Sequence, residues 1–196
     1  MHLVVATTNK GKLREIKERL KHYPVEIESL EAHPQWKPAV EDGHTFAQNA
    51  IKKAQAIAEQ SGKLCLADDS GLVVDALDGR PGVHSARFAH AEATDVENNA
   101  YLLECLSGVP DSERGAAFVC VMALCAPDGK CHLFEGRLAG MIMREPEGSG
   151  GFGYDPLFWL PQQKRSLAQL ALEDKNRISH RGLALTQVLE FLKQSV

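Results

Sequence analysis

At 196 residues the chain fits one domain of ordinary size, or one with two lobes around a cleft. Hydrophobic residues at 44% and charged residues at 24% support a packed core and exclude a disordered chain. The net charge of −4, from 22 Lys and Arg against 26 Asp and Glu, argues against a surface built to grip nucleic acid, although a few local cations would serve a small phosphate-bearing ligand.

Residues Leu3 to Ala6 form a short apolar run ending in Thr7-Thr8-Asn9-Lys10-Gly11-Lys12. Leu13, Ile16 and Leu20 then recur at helical spacing, so the start reads as strand, polar loop and helix. Val25 to Leu30 alternates like a second strand, and an irregular stretch containing prolines runs from Glu31 to Gly43. Between Thr45 and Gln60, Phe46, Ala50, Ala54 and Ile57 mark one helical face. Lys63 to Ala67 is predicted as a buried strand stopped by Asp68-Asp69-Ser70-Gly71, with more strand from Leu72 to Leu77 and a turn at Gly79-Arg80-Pro81-Gly82. Thr94 to Leu106 fits a helix with Thr94 as its N-cap. Three β-rich segments follow, Ala116 to Ala126, Lys130 to Glu135 and Arg137 to Met143, the first two joined at Pro127-Asp128-Gly129. Residues 148–156 form a Gly-rich loop, and a last helix begins at His180 with Leu185, Val188, Leu189 and Leu192 on one side. The order predicts an α/β fold: a mixed, twisted sheet with flanking helices and two lobes around a central cleft.

The five cysteines are odd in number and lack CxxC spacing, and most lie in apolar runs. They are expected to be buried and reduced, without a disulfide or zinc framework. No run reaches the ~18 apolar residues of a membrane span, and the opening lacks a basic segment followed by a long apolar one. A cytoplasmic protein with no membrane partner is the expectation.

The 7–12 stretch places hydroxyls, a carboxamide and two ammonium groups where a strand meets a helix start, whose open N–H groups and dipole suit phosphate. An ordinary turn capped by Thr or Asn is the alternative, and the pattern is not a P-loop. Asp68 and Asp69 adjoin at the predicted end of a buried strand, where ligands gather in α/β sheets. Their mutual repulsion favours a cation, magnesium above all, and an Asx turn at Ser70 is the plainer alternative. Glu41 could add a third carboxylate, and Lys53 shares a helix face with Asn49; each taken alone reads as solvated surface. In the Gly-rich loop, Phe152 and Tyr154 offer rings for a flat ligand, and a structural corner anchored by the two rings is the alternative. Lys175, His180 and Arg181 bring cations and an imidazole to the last helix start, for an anion or base-edge contact or as a plain capped start.

Six stretches together resemble the inosine triphosphate pyrophosphatase family. They are Thr7 to Lys12, Thr45-Phe46-Ala47-Gln48-Asn49-Ala50, Ala67 to Leu72, Pro81-Gly82-Val83-His84-Ser85-Ala86-Arg87, Gly150 to Pro156, and Ile178-Ser179-His180-Arg181-Gly182. Any one is weak, but six in order from residue 7 to 182 are specific; Thr8 departs from the glycine or serine expected there. The resemblance implies a homodimer of two-lobed chains that splits deaminated purine nucleoside triphosphates to monophosphate and pyrophosphate. It implies phosphate contacts from Thr7, Thr8, Asn9, Lys10, Gly11 and Lys12, with Lys53 and Lys175 as further cations and Ser70 as a substrate contact. Magnesium would lie at Glu41 and Asp69 with Asp68 nearby, and Asp69 would be the catalytic acid–base residue. The base would rest on Phe152 in the loop of Gly153, Tyr154 and Asp155, against His180 and Arg181. A pyrophosphatase for pyrimidine or other modified nucleotides, and a non-enzymatic nucleotide- or RNA-binding module, are the alternatives.

Overall fold

A computed structural model describes residues 2–194. Strand β1 (His2–Val5) leads into helix α1 (Lys10–Leu20), whose first turn is capped by Asn9, its side chain accepting from the Lys12 N–H. Strand β2 (Glu26–Ser29) is shorter than the alternation predicts, because Leu30 already begins a 3-10 turn. Helix α2 (Phe46–Ser61) starts on a capping box between Thr45 and Gln48 and ends at Gly62 in the left-handed region. Strand β3 (Cys65–Val74) precedes α3 (Asp95–Cys105), which has a capping box of Thr94 and Glu97. Strands β4 (Gly115–Cys125), β5 (Cys131–Ile142), β6 (Phe158–Leu160) and β7 (Arg165–Ser166) follow, then helices α4 (Leu172–Ile178) and α5 (His180–Gln194).

The seven strands are ordered β2-β1-β3-β4-β5-β6-β7. β1 pairs in parallel with β2 and β3, whereas β5, β6 and β7 pair antiparallel in turn, so the sheet is mixed as predicted. Three expectations are corrected. Asp68-Asp69-Ser70-Gly71 does not stop a strand but lies inside β3, and β5 runs unbroken through Gly136. The expectation of reduced thiols fails at Cys125 and Cys131, which form a disulfide. The turn closing at Gly129 pairs Ala126 with Lys130, and the next residues outward face each other with Cα atoms 4.2 Å apart. Cys65, Cys105 and Cys120 are free thiols.

The chain divides into two compact units: residues 2–69, 120–136 and 180–194, and residues 70–119 and 137–179. In the first unit, alternation along the strands serves two cores. Leu3, Leu66, Cys120 and Met122 pack with Leu13, Ile16, Leu185 and Val188 of α1 and α5, while Val4, Ala67, Val121 and Ala123 pack with Ala50, Ala54 and Ile57 of α2. The second unit has its own core, built around Leu72, Leu102, Phe118, Leu157 and Phe158. No helix among the described residues is long and apolar enough to cross a membrane.

Candidate active site

Because β3 passes straight through Asp68 and Asp69, these neighbours leave it on opposite faces. Asp69 follows Cys65 and Ala67 toward α2, where Asn49 and Lys53, one turn apart, both reach it. The Asn49 amide donates to Asp69 Oδ2 at 3.1 Å, and Lys53 Nζ lies 3.3 Å from Asp69 Oδ1. The same ammonium donates to Glu41 Oε2 at 3.0 Å. Asn49 also accepts the Gly43 N–H at 2.8 Å, tying the segment that carries Glu41 to α2. A Cβ on Gly43 would stand 2.5 Å from that accepting oxygen, so the close approach requires glycine.

Lys53, 8% exposed, is therefore not the solvated lysine that its isolated position indicates. Burial disfavours its charge, but Asp68, Asp69 and Glu41 outweigh that and hold the ammonium protonated. The Asp69 carboxyl is pushed above its ordinary range by burial, which the opposing pull of Lys53 and Lys12 does not cancel.

Asp68 follows Leu66 toward α1 and α5. Lys12 Nζ lies 3.1 Å from Asp68 Oδ2, and Arg181 donates to the same oxygen through Nε at 3.2 Å and Nη2 at 3.1 Å. Arg181 also donates through Nη1 to Glu15 of α1. Such charges stay buried only when paired, and here they are paired in a row: Glu15, Arg181, Asp68, Lys12. Burial pushes Asp68 upward, but Lys12, Arg181 and Lys53 override it and hold the carboxyl far below the usual range. Cys120 beside it is inert as a nucleophile, its thiol pushed up to about 12 chiefly by burial. Strand alternation thus separates Asp68 from the Glu41 and Asp69 pair, with which it was grouped as a magnesium ligand. Arg181, expected against a base, has its guanidinium engaged by two carboxylates and is 2% exposed.

In the phosphate loop, Thr7 Oγ1 accepts the Asn9 N–H at 3.2 Å and Asn9 Oδ1 accepts the Lys12 N–H at 3.0 Å. Capping by Asn9 is real, and it presents the Lys10–Lys12 turn at the positive end of α1. Thr8 and Lys10 are exposed, Thr7, Gly11 and Ser70 half-buried, and His180 is buried at the start of α5.

The second unit holds the other predicted group. Asp155 Oδ2 accepts from Lys175 Nζ at 2.5 Å and from the Phe152 N–H at 2.9 Å, and that ammonium stands 4.8 Å from the centre of the Phe152 ring. Tyr154 donates its hydroxyl to the Ser85 carbonyl at 2.8 Å, anchoring the loop to the Gly82–Arg87 turn. Lys175, expected as a phosphate cation, is therefore buried against the ring-bearing loop. Glu15 was missed from the sequence, as were Asp95 and Asn99, which contact Gly153. The available signal was spacing: Glu15 lies three residues beyond Lys12 on α1, and Asp95 and Asn99 lie four apart on α3.

The fold and these caged charges define an α/β protein with buried, paired carboxylates and cations. Its kinship is specific: residues 3–191 match the model of the Ham1 family, and the chain belongs to that family. It is 53% identical over 194 residues to the dITP/XTP pyrophosphatase of Desulforamulus reducens, covering 99% of this chain and 96% of that one. With the dITP/XTP pyrophosphatase of Geobacter sulfurreducens it shares 54% over 190 residues, 97% of this chain and 96% of the other. Among solved structures, a HAM1 protein from Coxiella burnetii superposes with a TM-score of 0.90 at 41% identity, covering 99% of both chains.

Proposed function

We infer that this chain is a nucleoside-triphosphate pyrophosphatase that hydrolyses deaminated purine nucleotides such as dITP and XTP to the monophosphate and pyrophosphate. The observation that carries the inference is the Asp69 cluster with Asn49, Lys53 and Glu41, in a chain 53% identical over nearly its whole length to an enzyme of that name.

Glu41 and Asp69 already share one cation, the Lys53 ammonium, so their carboxylates are oriented toward positive charge. No group of three or more His, Cys, Asp or Glu among the described residues is placed to hold a metal. A pair of carboxylates such as Glu41 and Asp69 suits magnesium, which takes one or two protein carboxylates and completes its shell with phosphate oxygens and water. When bound at Glu41 and Asp69, it would supply charge neutralisation to the polyphosphate.

The chain's own residues do the rest. Lys12 and Lys53 offset charge gathering on the departing pyrophosphate, and the Thr7–Lys12 turn orients the phosphates. Asp69, with its raised proton affinity, takes the proton of the water that attacks the α-phosphorus. Phe152 receives the flat base. The oxygen at position 6 of hypoxanthine or xanthine asks for a donor where adenine presents its own amino group. His180 and Arg181 are the candidate donors, and Arg181 already serves Asp68 and Glu15.

Steady-state turnover of dITP and dATP, with and without magnesium, tests the proposal. It predicts magnesium-dependent pyrophosphate release, with dITP ahead by more than ~100-fold in kcat/KM, since an unpaired buried donor penalises the wrong base strongly. Equal efficiencies for the two nucleotides would overturn it.

A further inference from the structure

The loop that carries Phe152 is gripped from outside by two side chains that the proposed mechanism leaves unused. Asp95 Oδ2 accepts the Gly153 N–H at 2.7 Å, and the Asn99 amide donates to the Gly153 carbonyl at 2.9 Å. The two residues lie one turn apart on α3, so a single helix face holds both polar groups of one residue. Asp155 meanwhile accepts the Phe152 N–H. The Phe152 backbone is thus pinned on both sides.

Capping does not account for Asp95, because Thr94 and Glu97 already close the start of α3 through their capping box. Nor does crowding account for the glycine. A Cβ on Gly153 would meet nothing within 4 Å, but the backbone there has φ +61°, a left-handed conformation that glycine adopts most readily. The clamp therefore holds a backbone shape. The shape sets the direction of the Phe152 ring.

We propose that Asp95 and Asn99 are positioning residues for nucleobase recognition, fixing the turn at Gly153 so that Phe152 meets the base already oriented. A preset ring spares the ordering cost that a mobile one would charge to each binding event. The proposal rests on the assignment of Phe152 to the base. Asp95 is exposed, so its contact adds little to overall stability and its loss registers in binding.

The test is dITP kinetics on Asn99→Ala, Asp95→Ala, Asp95→Asn, Phe152→Ala and the double variant Asn99→Ala/Phe152→Ala, with product inhibition by pyrophosphate measured in each. Asn99→Ala and Asp95→Ala should raise KM about tenfold with kcat within about twofold, the pattern of lost uniform binding. Asp95→Asn, which keeps an acceptor oxygen, should restore most of the wild-type KM. The double variant should match Phe152→Ala within about twofold, because a clamp has nothing to position once the ring is gone. Pyrophosphate, which has no base, should inhibit all variants equally.

If Phe152→Ala raises KM while the α3 variants do not, the clamp is refuted and the base assignment stands. If Phe152→Ala leaves KM unchanged, the assignment falls and takes the clamp with it. Additive effects in the double variant, or weakened pyrophosphate inhibition in the α3 variants, would make Asp95 and Asn99 merely structural and overturn the proposal.

Discussion

Adjacent side chains on an extended strand point to opposite faces, and Asp68 and Asp69 divide two tasks along that line. Asp68, buried among Lys12, Arg181 and Lys53, is held ionised and serves as an anchor for cations. Asp69, with a raised proton affinity and an amide from Asn49, is the one suited to proton transfer. Asp69→Asn keeps an acceptor for Lys53 while removing the exchangeable proton site. It should remain folded, with a melting temperature near wild type, and lose at least ~100-fold in kcat, the low end for an acid–base group. Near-normal turnover at saturating magnesium would remove Asp69 from that role. At this scale the sequence displays which residue types are present, and Lys12, Asp69 and Phe152 were legible as candidates, each beside a plainer structural reading. Glu15 was not: an acid among Lys and Arg on a helix looks solvated until its Arg181 partner arrives from a distant stretch.

At the scale of elements, local signals misled where a tertiary contact overrode them. Asp-Asp-Ser-Gly reads as a stop because its residues favour turns, yet pairing within the sheet carries β3 through it. Gly136 reads as a break between strands. It is instead the point where the first turn of α5 crosses β5: a Cβ there would lie 2.0 Å from the His180 carbonyl oxygen and 2.7 Å from the Ala184 nitrogen. Both are backbone atoms, which cannot swing aside as a side chain would. Gly136→Ala should therefore cost at least about 2 kcal/mol and lower the melting temperature by about 5 °C. It should also displace His180 and Arg181 and so depress turnover. An unchanged melting temperature in a thermal scan would show that α5 shifts without penalty. The Cys125–Cys131 pair escaped notice because spacing alone does not reveal which hairpin positions face each other. Helix α4 escaped because seven residues are too few to establish a period.

For the whole molecule, the net charge of −4 conceals a collected group of cations. Lys12, Lys53 and Arg181 stand in the first unit against Asp68, Asp69, Glu41 and Glu15; the second unit holds the ring-bearing loop and its Lys175–Asp155 pair. The mixed sheet and helices α1, α2, α3 and α5 were legible from periodicity, and the family from six short stretches in order. The ion pairs were not, because they join residues of separate elements, from 12 positions apart in Lys53 and Glu41 to 166 in Arg181 and Glu15. In the proposed reaction water attacks the α-phosphorus of a deaminated purine nucleotide and pyrophosphate leaves intact. Turnover of dITP in oxygen-18 water, followed by mass spectrometry of both products, tests that directly. Label is expected in the monophosphate and none in the pyrophosphate. Label in the pyrophosphate, or release of orthophosphate in its place, would contradict it.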